Sequence, residues 1–75
     1  MTSSGAEFAI CLSNLGYEES LIVRKVYLVL QDEEALRHGL VRVVDESDED
    51  YLFPEGMFLR IELPEAARKL LHEPA

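Results

Sequence analysis

A small, mainly β fold is what this sequence predicts: a strongly bent antiparallel sheet or partly open barrel, with one short central helical turn and a short C-terminal helix. Three observations carry that expectation. Apolar residues recur with a period of two in several short runs, most plainly EFAICLS and FLRIEL. Between the runs stand turn-forming clusters, Asn14-Leu15-Gly16, Glu46–Glu49 and Pro54-Glu55-Gly56, whose residues tolerate positive φ or pre-set a turn. Finally, 75 residues make one domain with a thin core, and with no Trp, three Phe and three Tyr that core must be largely aliphatic.

The chain divides into residues 1–6, small and polar and expected to be disordered; residues 7–63, the β domain; and residues 64–75, a short helix and tail. In Glu7–Ser13 the alternation sets Phe8, Ile10 and Leu12 against Ala9, Cys11 and Ser13, so the first three are expected to face inward. Leu21–Gln31, rich in branched and aromatic residues, reads as one strand or two joined by a bend. Pointing Val26, Leu28 and Leu30 inward puts Arg24 on the same face, a conflict that a bend near Arg24-Lys25 resolves. In DEEALRHG, Asp32 is an N-cap, Glu33 and Glu34 suit the positive end of a helical turn, Arg37 and His38 its negative end, and Gly39 its stop. Leu40–Val44 forms the next strand with Val41 and Val43 inward, and Tyr51–Phe53 its partner. Phe58–Leu63 alternates Leu59, Ile61 and Leu63 inside with Arg60 and Glu62 outside. Pro64 then opens a helix, being tolerated in a first turn where its missing N–H is not needed. Ala67, Leu70 and Leu71 give that helix a narrow apolar edge.

Fifteen acidic against seven basic residues give a net charge of −8. Such a balance excludes the clustered cations that phosphate backbones and anionic membrane surfaces require, so no nucleic-acid or membrane partner is expected. It fits a protein kept apart from its neighbours by repulsion, as a monomer or weak homodimer, or one that meets a basic protein surface. The acidity is local: each of the five acids in DESDED contributes one unit, and without them the charge would be −3. One cysteine, Cys11, cannot form an internal disulfide, which favours a cytoplasmic setting. No secretory leader and no membrane span is expected, since LIVRKVYLVL is short and interrupted by charge.

The stretch DESDEDYLFPEG invites a calcium loop and fails the pattern. Begun at Asp45, it has Asp50 where the sixth position needs Gly and Gly56 where the twelfth needs a bidentate carboxylate; begun at Asp48, it has Leu52 at the fifth, a ligand position, and Phe53 at the sixth, the glycine position. A hairpin with a solvated tip at Glu46–Glu49 is the expected structure, and a weak cation site or a docking patch for a basic partner is the alternative. Cys11, His38 and His72 lack zinc-motif spacing, no nucleophile–base constellation is evident and the four Gly are scattered at turns, so no metal, no cofactor and no catalytic residue is expected. The candidate interaction surface consists of Asp45, Glu46, Asp48, Glu49, Asp50, Tyr27, Tyr51 and Phe53: acids for a basic partner, and aromatic residues that either line a platform or fill the core.

GLVRVVDESDEDYLFPEGMFLRIEL resembles the second half of an SH3-like barrel: strand, hairpin, strand, a one-turn 3₁₀ element beginning at Pro, and a final strand. Pro54, Met57, Phe58 and Leu59 sit where SH3 domains place their Pro-x-x-Tyr-Val type segment. The longer pattern KVYLVLQDEEALRHGLVRVVDESDEDYLFP resembles a family of small uncharacterised bacterial proteins, a similarity covering residues 8–64. The likeness implies the fold but not proline-helix recognition, because the Ala-Leu-Tyr-Asp-Tyr segment and the groove Trp are missing. The resulting expectation is a non-enzymatic protein-interaction or accessory module of a bacterial cell. A second reading is an acidic decoy or regulator that occupies a basic, nucleic-acid-binding surface; a third is a weak divalent-cation binder.

Overall fold

The computed structural model describes residues 7–72, with the side chains of residues 71 and 72 left out. The expected disorder of residues 1–6, the tail 73–75, and the side chains of Leu71 and His72 lie outside the described residues. Five strands, β1 (Glu7–Cys11), β2 (Val26–Leu30), β3 (Leu40–Val44), β4 (Asp50–Pro54) and β5 (Phe58–Ile61), form one antiparallel sheet in the order β4-β3-β2-β1-β5. Consecutive strands pair from β1 to β4, and β5 returns to the free side of β1. The sheet does not close on itself; it is mainly β and consistent with a small SH3-like bent sheet.

The helices form where local chemistry asks for them. Helix α1 (Glu33–Arg37) is capped by Asp32, whose Oδ1 accepts the Ala35 N–H at 3.0 Å, and ends as Gly39 turns to φ +74° and its N–H reaches the Leu36 carbonyl. The 3₁₀ turn Glu55–Met57 follows Pro54, and helix α2 (Glu65–His72) follows Pro64, so both prolines stand where the sequence placed them. Gly16, at φ +88°, is the left-handed residue of a turn closed by the Tyr17 N–H on the Asn14 carbonyl at 2.7 Å.

The core consists of Ala9, Cys11, Leu21, Tyr27, Val29, Val41, Val43, Phe53 and Phe58. Val41 and Val43 face inward as expected, but the facing of β1 and β5 is reversed, and β2, whose facing the sequence left open, goes with them. On β1 the core takes Ala9 and Cys11; Ile10 is half-buried on the other face and Leu12 is exposed. On β2 it takes Tyr27 and Val29, while Val26, Leu28 and Leu30 point the other way. On β5 it takes Phe58, and Leu59, at 55% exposure, lies outside. The register makes these reversals one event, because Phe8 opposes Leu28 and Ile61, and Ile10 opposes Val26 and Leu59. Three rings, Tyr27, Phe53 and Phe58, occupy the inside of the bend, with Phe58 edge-on to Tyr27 at 6.4 Å and tilted against Phe53 at 6.0 Å. What remains beside them on β1 fits Ala and Cys but not Phe and Ile. Phe8 is buried even so, on the outer face, with the Arg68 guanidinium of α2 5.7 Å from its ring centre.

Strand β2 is also shorter than expected. Leu21–Lys25 belongs to the long loop between β1 and β2, and the bend expected near Arg24-Lys25 is present, with Arg24 at φ +75° and its N–H on the Cys11 carbonyl at 2.7 Å. From within that loop Leu21 enters the core and is fully buried. Leu21→Ala should therefore cost about 2–5 kcal/mol, whereas Leu59→Ala should change stability by no more than about 0.5 kcal/mol. Urea unfolding of the two variants checks this, and the opposite ranking would restore the facing read from the alternation.

Candidate functional site

Most of the acids expected to be a solvated hairpin tip are engaged with the protein itself. Asp45 is only 5% exposed, and its Oδ1 accepts the Ser47 N–H at 2.8 Å and the Ser47 hydroxyl at 2.5 Å. This side-chain turn, with the Asp48 N–H on the Asp45 carbonyl and Asp48 itself at φ +69°, shapes the hairpin end. The Asp50 carboxylate accepts from Arg42 at 2.8 Å, and Glu49 accepts the Tyr51 hydroxyl at 2.9 Å. Among the described residues Asp48 alone of the five has no side-chain partner. Asp45 is thus corrected from surface to interior, since it is the carboxylate that closes the turn.

Glu46 does the most. Its Oε2 accepts the Lys25 ammonium at 2.6 Å and the Tyr27 hydroxyl at 2.5 Å, while its backbone N–H donates to the Ser20 carbonyl at 3.0 Å. The Tyr27 hydroxyl in turn accepts the Ile22 N–H at 2.8 Å. Loop, strand and hairpin therefore meet at one carboxylate–phenol pair. Burial, and next the hydrogen bond to Glu46, push the Tyr27 hydroxyl's pKa far up, so it stays protonated and serves as a donor. The Lys25 hydrogen bond, followed by that of Tyr27, holds the Glu46 carboxyl below the ordinary carboxylate range.

A second junction stands on the outer face of β3. Arg42 donates through Nε to Asp32 and through its terminal nitrogen to Asp50, both at 2.8 Å, joining the α1 cap to the first residue of β4. The Ala35 N–H, then Arg42, lower the Asp32 pKa. At the far end of the sheet Arg60 of β5 pairs with Glu7 of β1, beside a cavity of about 460 Å³ that reaches Arg68.

Of the aromatic candidates, Tyr27 and Phe53 are core residues and so are not a surface; Tyr51, 49% exposed, is. The exposed part of the candidate set is thus Glu46, Asp48, Glu49, Asp50 and Tyr51. Sequence reasoning missed Tyr17, which meets Phe53 edge to face at 5.1 Å, and Ser20; both lie in the long loop and help line a cavity against the hairpin. Their placement depends on the Ser20–Glu46 and Ile22–Tyr27 hydrogen bonds, which no local pattern announces. Cys11 lies in the core, where burial raises its pKa and its thiol donates to the Ser13 carbonyl at 3.3 Å. His38 is exposed beside Glu34 at 3.2 Å. Among the described residues no three His, Cys, Asp or Glu side chains gather where they could hold a metal ion, and no helix is long and apolar enough to cross a membrane.

Comparisons with models of protein families, with curated proteins and with solved structures returned no match to this chain.

Two predictions test the junction. Tyr27→Phe keeps the ring but leaves the Ile22 N–H without its acceptor, and Glu46→Ala leaves the Tyr27 hydroxyl without its own; each should cost about 1–3 kcal/mol. Because both act through one hydrogen bond, the double variant should lose less than the two losses added, and strict additivity in thermal unfolding would show that the residues do not act together. The pH dependence follows from Glu46. Its folded pKa lies below the unfolded value of about 4.3, so its contribution is complete above that pH and is lost as pH falls through the folded value. The stability gap between the parent and Glu46→Gln should be full at neutral pH and should shrink as pH drops below about 4; a gap that widens in acid would reverse the assignment.

Proposed function

We propose that the chain is a non-enzymatic protein-interaction or accessory module that works in the cytoplasm of a bacterial cell. The observation that carries this reading is the Leu12–Lys25 loop. It exposes Leu12, Leu15, Ile22 and Val23, with Leu15 at 80% and Ile22 at 52%, while its backbone is held by polar contacts within the loop, to β2 and to the hairpin end. Asn14 Nδ2 donates to the Leu21 carbonyl at 2.9 Å, Ile22 is held by Tyr27, and Ser20 by the Glu46 amide. Apolar side chains on a loop already ordered can be covered by a partner with little further loss of conformational freedom. The buried thiol of Cys11 and the exposed His38, held beside Glu34, favour binding over catalysis. The bacterial setting rests on the resemblance carried by residues 8–64.

The acidic-decoy reading is favoured by a different observation: Asp48 and Glu49 on the hairpin and Glu18 and Glu19 on the loop are all exposed, and such acids suit a basic surface. Site-specific photocrosslinking tests the main proposal. A photoreactive residue at position 15 or 22 should give one or a few discrete protein adducts in cells, while position 34 on α1 should give none. Leu15→Ser with Ile22→Ser should prevent the partner's co-purification while shifting unfolding by less than about 1 kcal/mol, since both side chains are exposed. No adduct, or the same adducts from positions 15 and 34, would overturn the reading.

A further inference from the structure

The long loop and the β3–β4 hairpin border an open cavity of about 350 Å³, lined by Tyr17, Tyr51 and Phe53 together with Asp45 and Ser47. Two features of its wall point to the same kind of occupant. The first is aromatic: Tyr17 and Phe53 are already packed edge to face, and Tyr51, two residues from Phe53 on β4, stands half-exposed in the same lining. Aromatic faces carry negative potential and attract cations. The second is a buried carboxylate. Both hydrogen bonds that Asp45 accepts, from the Ser47 N–H and the Ser47 hydroxyl, go to Oδ1; among the described residues its Oδ2 accepts none. A carboxylate oxygen left with a free lone pair at the cavity wall can accept from a donor, preferably a charged one.

The surroundings have the same sign. Glu18 and Glu19 follow Tyr17 directly in the loop, Asp48 and Glu49 lie on the hairpin, and no Lys or Arg lines the cavity. An anion would be repelled there, and a neutral apolar group would leave Asp45 as it is. We propose that this cavity receives the side chain of a lysine or arginine from a basic segment of a partner protein. The inference rests on the protein-interaction reading above and gives that partner a chemistry: the ammonium or guanidinium lies against Tyr17 and Tyr51 and donates to Asp45, while the chain around it covers Leu52, which is exposed at the cavity wall.

Amide NMR titration of the whole chain with N-acetyl-lysine methylamide, N-acetyl-arginine methylamide and uncharged N-acetyl-norleucine methylamide tests it. The two cationic compounds should give saturable shifts confined to residues 17–20 and 45–53, and the norleucine compound none. Tyr51→Ala, at an exposed position, should keep the folded spectrum and weaken cation binding about two- to fivefold. Asp48→Asn with Glu49→Gln should weaken it as well and flatten its dependence on salt. Equal shifts with norleucine, cation shifts that do not saturate, or unchanged affinity in Tyr51→Ala would each overturn the inference. Crosslinks from position 15 read out the loop surface independently, so failure of the cavity and failure of the interaction module remain distinguishable.

Discussion

The Tyr27 hydroxyl, held between the Ile22 amide and the Glu46 carboxylate, is the interaction on which the rest of the arrangement depends. The loop from Leu12 to Lys25 has no strand or helix of its own and would be costly to order by contacts at its two ends alone. Tyr27 fixes its middle. With Ile22 held there, Leu21 is directed into the core; with Ser20 held by the Glu46 amide, Tyr17 is brought onto Phe53. A phenol whose ring fills the core and whose hydroxyl lies at its margin suits this place, because one side chain supplies both apolar area and a polar anchor. In a domain with so small a core, that anchor converts a surface loop into part of the packed structure.

The order of elements was legible in the sequence because it rests on local chemistry. Asp32 caps the turn that follows it, Gly39 ends it, and Pro54 and Pro64 open the next elements, each acting within a few residues. Facing was legible on β3, where Arg42 marks the outer side, but not on β1, β2 and β5. A period of two separates a strand's side chains into two sets but does not say which set is inside, and here both sets are apolar on β1 and β2. The decision is made between strands: three rings from β2, β4 and β5 fill the bend and leave room for Ala9 and Cys11 beside them. Phe8, expected inside with Ile10 and Leu12, is buried on the other face, where the C-terminal helix lends it Arg68. The apolar edge expected of that helix does not supply this cover, since Leu70 is 81% exposed.

The same distinction governs the acidic hairpin. Composition shows five acids close together, and the ordinary reading of such a run is a solvated turn. Composition cannot show Lys25, Tyr27 and Arg42 arriving from other positions to engage them. Each such pairing is modest where it is exposed, since water and salt weaken it. Their distribution matters more than their sum: Glu46 is directed to the loop, Asp50 to β3 and the helix cap, and Asp45 to its own turn, so repulsion between neighbouring acids is relieved in separate directions.

That distribution bears on what the remaining charge can do. If all five acids were free, the hairpin would attract any cation with little preference. With three committed to the fold and Glu49 shared with Tyr51, the field toward solvent comes mainly from Asp48 and Glu49, together with Glu18 and Glu19 on the loop opposite. Two acidic edges on separate elements, with aromatic walls between them, define a position and not merely a sign. In the interaction proposed above, such a field favours a basic partner by its charge and restricts where that charge must sit. The fold's own use of its acids thus narrows a nonspecific surface to one place.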